Sequence, residues 1–137
     1  MSPGYVFFYG TLMDPKVLQA VLDIAELPVM EQGYITGFSV KMWGIYPALV
    51  SSSDAGARVL GTFWKVDNGR HMMKLSRYET AAYRTTPVTI FQEDGNRIEN
   101  GRVFCWSGDS ESRDLEDGSF DLTRYKTFFK KSVVKAA

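Results

Sequence analysis

The chain is poor in cysteine, poor in histidine and carries no excess charge. Of its 137 residues, one is cysteine (Cys105) and one is histidine (His71). A lone cysteine cannot close an intrachain disulfide, so a small disulfide-built scaffold is excluded. One Cys and one His also cannot supply the four ligands of the usual zinc site, and no metal or other cofactor is expected. Lys plus Arg number 16 and Asp plus Glu number 16, so the net charge is zero. A protein that coats nucleic acid carries a basic excess, and so does one that sits on an anionic membrane surface; neither partner is expected. No apolar run approaches the roughly 20 residues that a membrane helix needs. The opening MSPGYVFFYGTL has no basic segment, and its apolar run stops at Gly10, so no secretory leader is expected and the cytoplasm is the default compartment.

What the sequence does have is apolar mass. It is 45% hydrophobic and 14% aromatic, which argues against disorder and is enough for a core. Composition does not shift along the chain, so one domain over residues 1–137 is expected. Residues 5–9 (YVFFY) form a short apolar run of β-formers, the pattern of a strand buried on both faces. Asp14-Pro15 follows the GTL turn: Asp suits a helix N-cap, and Pro suits the first helical position. Val17, Leu18, Val21, Leu22 and Ala25 then recur at helical spacing. The middle reads as strands over 33–43 and 46–51 around a break at Gly44, then 58–66. Asp67 can cap a helix over 68–79, with Met72, Met73, Leu75 and Tyr78 on its buried side. Strands follow at 84–92 and 101–107, joined through Asp94-Gly95, a favoured hairpin dipeptide because both positions accept positive φ. Residues 107–118 read as a polar loop, and a last helix is expected near 121–132. This order predicts an α+β fold with a closed or nearly closed, largely antiparallel or mixed sheet and helices outside it.

Three segments could carry chemistry. Tyr9-Gly10-Thr11-Leu12 turns from a strand into a helix, which leaves backbone N–H groups free to hold a carboxylate or an oxyanion; equally, Gly10 could be there for steric reasons alone. Glu79 closes an apolar helical run beside Tyr78. Held against aromatic rings it would be a general base of raised pKa; otherwise it is a solvent-facing glutamate near a helix C-terminus. Pro47, within Tyr46-Pro47-Ala48-Leu49, marks an edge, a bulge or a cavity wall. His71 reads as a surface or capping residue, Cys105 as a small buried hydrophobe, and Trp43, Trp64 and Trp106 as core or cavity wall. Lys126, Lys130 and Lys131 read as a solvated helix face.

YVFFYGTLMDPKVL, IYPALV, RVLGTFW, LSRYETAAYRTTPV and VFCWSGD, in this order and spacing, resemble the gamma-glutamylcyclotransferase-like superfamily, in particular its avirulence-induced-gene-like branch. The resemblance runs from Val6 to Phe129. It implies a small mixed-strand β-barrel flanked by helices, with a cavity at one end. It also implies an enzyme, without cofactor, that cyclises the γ-glutamyl group of a small molecule to 5-oxoproline and releases an amine or amino acid. In that scheme Glu79 is the general acid/base. The turn Tyr9, Gly10, Thr11 and Leu12 holds the γ-glutamyl end through backbone N–H groups. From the residues themselves, Tyr46 and Tyr83 are able to reach a ligand and Pro47 to line its cavity, and these three are taken as further substrate-binding candidates. Ser76 stands where the family often has Asp, Thr85 where it often has Arg (Arg84 lies one place earlier), and Thr-Leu where the turn can carry Ser-Asn. Two alternatives stay open: another acid/base enzyme, an isomerase or lyase on a small secondary metabolite, or a non-catalytic small-molecule binder.

Overall fold

A computed structural model describes residues 4–54, 56–66, 68–118, 120 and 122. The first strand, β1 (Gly4–Phe8), leads through a 3-10 turn (Thr11–Met13) into α1 (Pro15–Leu22). Strands β2 (Glu31–Thr36), β3 (Phe38–Trp43), β4 (Tyr46–Ser51) and β5 (Arg58–Val66) follow. Helix α2 (Gly69–Glu79) precedes the long pair β6 (Tyr83–Gln92) and β7 (Arg97–Trp106). Five strands close a barrel in the order β1-β5-β2-β6-β7, and β3 and β4 form a separate two-stranded hairpin. Pairing within the barrel is antiparallel except at the closure, where β1 runs parallel to β7 with Val6 opposite Arg102 and Phe7 opposite Val103. The expected α+β barrel with helices outside is therefore the fold.

The strand β1 explains why a wholly apolar run opens the chain. Val6 and Phe8 join one core cluster, with Leu12, Val17, Leu18 and Leu75 of the helical layer. Phe7, pointing the other way, joins the barrel interior with Ile35, Phe63, Ile90 and Val103. Alternate side chains of one strand thus face two cores, so no position in Val6–Phe8 can be polar.

Four expectations need correction. Residues 33–43 are two strands, because Gly37 adopts φ +82° between β2 and β3; β2 pairs into the barrel while β3 pairs with β4. Helix α1 stops at Leu22, since Asp23 takes a left-handed conformation (φ 54°, ψ 54°), so Ala25 lies beyond it. The N-cap of α2 is Asn68, whose side chain accepts from the backbone N–H of His71 at 2.8 Å; of the apolar residues expected on its inner side, Leu75 is fully buried while Met73 is 54% exposed. In the β6–β7 turn only Gly95 has positive φ; its N–H donates to the Gln92 carbonyl, and the Gln92 N–H donates to the Asn96 carbonyl. The helix expected near 121–132 lies outside the described residues. Among those described, no helix is long and apolar enough to cross a membrane.

Candidate active site

The turn after β1 is built on a close approach. A Cβ on Gly10 would stand 2.8 Å from Cγ of Pro47, so only glycine lets the turn and β4 meet this tightly. Beyond Gly10 the chain coils once: the Met13 N–H donates to the Gly10 carbonyl and the Asp14 N–H to the Thr11 carbonyl. The preceding amides, on Thr11 and Leu12, have no acceptor among the described residues, as the first amides of a helical turn lack an internal partner. Asp14 then caps α1, accepting from the Lys16 N–H at 3.0 Å, with Pro15 in the first turn.

The second half of the site is the end of α2. Leu75 anchors the helix in the core, and Glu79 is its last residue. The cap that follows is Thr80, at φ 68° and ψ 178°, a region that side-chain-bearing residues rarely enter. Three hydrogen bonds hold it there: the Thr80 N–H donates to the Ser76 carbonyl, the Tyr83 N–H to the Thr80 carbonyl, and the Ala82 N–H to Thr80 Oγ1. This corner ends the helix abruptly and starts β6 at Tyr83.

Both halves line one open cavity of about 980 Å³. Every residue that the sequence nominated lies on its wall: Tyr9, Gly10, Thr11 and Leu12 from the first turn, Tyr46 and Pro47 from β4, and Glu79 and Tyr83 from the α2–β6 corner. Protein surrounds Glu79 on most sides, and this burial pushes its carboxyl from an ordinary 4.5 up to about 7. Its carboxylate makes no hydrogen bond or ion pair among the described residues. The hydroxyl of Tyr9 is held well above the usual tyrosine range by burial and then by the Glu79 charge. Tyr83 is raised likewise, by burial, by Glu79 and by Tyr46. The acid therefore stands close enough to both rings for its charge to be felt.

The tyrosine hydroxyls are already engaged. Tyr9 donates to the Phe104 carbonyl at 2.5 Å and accepts from the Leu49 N–H at 3.2 Å. Tyr83 donates to the Pro47 carbonyl at 2.8 Å. These two side chains present ring surface to the cavity and stitch β1, β4, β6 and β7 together around it. The sequence reading missed Lys74, Arg77, Thr80 and Phe104 as cavity residues, and it read Tyr78 as helix packing; all five line the wall. Tyr78 shares a 2.7 Å hydrogen bond with the hydroxyl of Thr11, joining helix to turn. Spacing could have found part of this set, because 74, 77 and 78 lie at i, i+3 and i+4 on one helical surface. Ser76, Arg84 and Thr85 do not line the cavity. Nor does His71, whose ring lies 6.3 Å from that of Trp64, while Cys105 is buried against the Thr86 hydroxyl.

A carboxyl raised to about 7 that lines one cavity with hydrogen-bond donors can move a proton between two atoms of a bound molecule. A family model described as gamma-glutamyl cyclotransferase, AIG2-like, matches residues 6–122. The chain belongs to this family. Several proteins of known structure share its fold. The solution structure of At5g39720.1 from Arabidopsis thaliana superposes with a TM-score of 0.72 at 23% identity, covering 99% of this chain and 89% of that one. A gamma-glutamyl cyclotransferase gives 0.64 at 14% identity, over 78% and 68% of the two chains. An AIG2-like protein from Mus musculus gives 0.62 at 18% identity, over 88% and 90%. A search of curated proteins returns no match.

Proposed function

We propose that this family member cyclises the γ-glutamyl group of a small molecule to 5-oxoproline and releases an amine, with Glu79 as general acid/base. One observation carries the reading: a carboxyl brought to about 7 by burial shares a cavity with the Thr11 and Leu12 amides, which have no acceptor among the described residues. The substrate's own α-amine is the nucleophile, so no Ser or Cys is required. Glu79 takes a proton from the α-ammonium, and the freed amine attacks the γ-carbonyl carbon. A five-membered ring closes as the bond to the leaving nitrogen breaks, and Glu79 returns the proton to that nitrogen; the second proton, shed by the attacking nitrogen as it becomes the lactam N–H, ends on the released amine, which leaves as an ammonium. The amides of the first turn hold the α-carboxylate or the developing oxyanion. Because nucleophile and electrophile share one chain, folding the substrate in the cavity supplies much of the acceleration.

The test is a mass-spectrometric screen of γ-glutamyl amines and dipeptides for 5-oxoproline, with wild-type protein beside Glu79→Gln. Release by wild type and loss in the variant is the expected pair. Turnover by Glu79→Gln at the wild-type rate would reject the assignment. An isomerase or lyase acting on a small apolar molecule draws support from the aromatic wall of the same cavity; release of no 5-oxoproline from any γ-glutamyl compound would favour it.

A further inference from the structure

The cavity holds more than a γ-glutamyl group requires. Trp43 and Tyr46, at the tip of the β3–β4 hairpin, line it beside Tyr83. Their rings form a continuous wall: the Trp43 centroid is 6.5 Å from Tyr46 and 6.2 Å from Tyr83. Trp106 backs the wall, 5.2 Å from Trp43 and 6.0 Å from Tyr83. The charges on the lining are Asp23, Lys74, Arg77 and Glu79. Lys74 is directed at the end of α1, where its ammonium donates to the Leu22 carbonyl at 2.9 Å, next to Asp23. Arg77 is exposed and makes no ion pair among the described residues. It lines the same cavity as Glu79.

We propose, on the basis of the cyclisation reading above, that this mouth is a leaving-group subsite for an aromatic amino acid, with Trp43 and Tyr46 against its ring and Arg77 on its carboxylate. The geometry suits an α-amino acid, whose carboxylate is two bonds from the nitrogen that Glu79 reprotonates. A guanidinium on the wall of the cavity that also holds the general acid is a fitting partner for that carboxylate. An aromatic side chain on the neighbouring carbon then meets the wall of rings, where offset or edge contacts are favourable. The bond made is between the α-nitrogen and the γ-carbon. The bond broken is from the γ-carbon to the amino-acid nitrogen; the α-nitrogen loses two protons in going from ammonium to lactam N–H, and the leaving nitrogen gains two in going from amide N–H to ammonium. The products are 5-oxoproline and the free aromatic amino acid, with no water consumed.

Four compounds and two variants test it: γ-glutamyl-phenylalanine, γ-glutamyl-alanine, γ-glutamyl-phenethylamine and ε-(γ-glutamyl)-lysine, with Arg77→Gln and Trp43→Leu. In the wild type, kcat/KM for γ-glutamyl-phenylalanine is expected to exceed that of each of the others by about tenfold, the scale of one charged hydrogen bond or one aromatic contact. Arg77→Gln lowers it about tenfold for γ-glutamyl-phenylalanine and less than twofold for γ-glutamyl-phenethylamine, which has no carboxylate on the leaving side. Trp43→Leu lowers both aromatic substrates and spares γ-glutamyl-alanine. An equal loss on phenylalanine and phenethylamine compounds in Arg77→Gln would assign Arg77 to the γ-glutamyl end and overturn the subsite. So would release of 5-oxoproline from all four compounds at similar rates, which leaves the cyclisation reading intact. No release from any of them overturns both. Arg77 is exposed, so its variant is expected to fold even where Trp43→Leu does not.

Discussion

The two sides of the cavity are treated in opposite ways. On the barrel side the tyrosines and the glycine lock: Gly10 lies against Pro47, Tyr9 joins the Phe104 carbonyl to the Leu49 N–H, and Tyr83 holds the Pro47 carbonyl. At the end of α2 the reverse holds. Glu79 has no hydrogen-bond partner among the described residues and a carboxyl raised to about 7, and the next residue, Thr80, sits in a strained conformation. Buried polar groups are normally satisfied. A wall whose tyrosine hydroxyls are paired, around an acid with no partner among the described residues, is what a site looks like when stability is concentrated in the frame and reactivity in the carboxyl.

The comparison is sharpest in the variants that remove one side at a time. Glu79→Gln is expected to lower 5-oxoproline release about 10²–10⁴-fold while raising stability. The sign follows from linkage. The folded pKa lies above the unfolded one, so the wild type is favoured by protonation below about 4.5, and it loses that advantage as pH rises to about 7. Above pH 7 the wild type carries a charge in a largely enclosed position that the variant lacks, and Glu79→Gln gains about 3 kcal/mol. Urea unfolding at pH 4 and pH 8 checks this: the two proteins should converge at the lower pH and separate at the higher. A variant less stable than wild type at pH 8 would break the comparison.

Next in size is the frame. Tyr9→Phe leaves the Leu49 N–H and the Phe104 carbonyl without their partner, at a cost of about 1–3 kcal/mol. Its turnover per folded molecule should fall far less than that of Glu79→Gln. Gly10→Ala pushes a methyl group into Pro47 and costs about 1–3 kcal/mol, with a rise in KM because the turn must shift. Chemical denaturation beside steady-state kinetics separates the two effects. Smallest is Thr80→Gly. Relief of backbone strain is worth about 1–3 kcal/mol, and the extra freedom of glycine in the unfolded chain takes back up to about 1 kcal/mol. A net gain of about 1 kcal/mol is expected in thermal or urea unfolding.

Much of this frame is legible before any coordinates. YVFFY followed by Asp-Pro announces a strand, a tight turn and a capped helix, because apolar periodicity and capping chemistry are local properties. The resemblance then carries the barrel closure and nominates Glu79, which spacing alone leaves ambiguous between an exposed glutamate and a base. The division at Gly37 is hidden because FSVKMW continues the β pattern of the preceding strand; only tertiary pairing tells the chain to leave the barrel there. Thr80 is hidden for a different reason. A β-branched residue is among the last expected at positive φ, so the sequence gives no sign of the corner that aims Glu79. Lys74 and Arg77 look like an ordinary solvated helix face until the barrel is placed opposite them.

The central claim is that burial beside Tyr9 and Tyr83 gives Glu79 a near-neutral carboxyl poised for proton transfer. Its most direct test is a carbon-13 NMR titration of the glutamate side-chain carboxyls, with Glu79 assigned by its absence from Glu79→Gln. A midpoint near pH 7 is predicted for Glu79. A midpoint in the ordinary carboxylate range, near 4.5, would contradict the account.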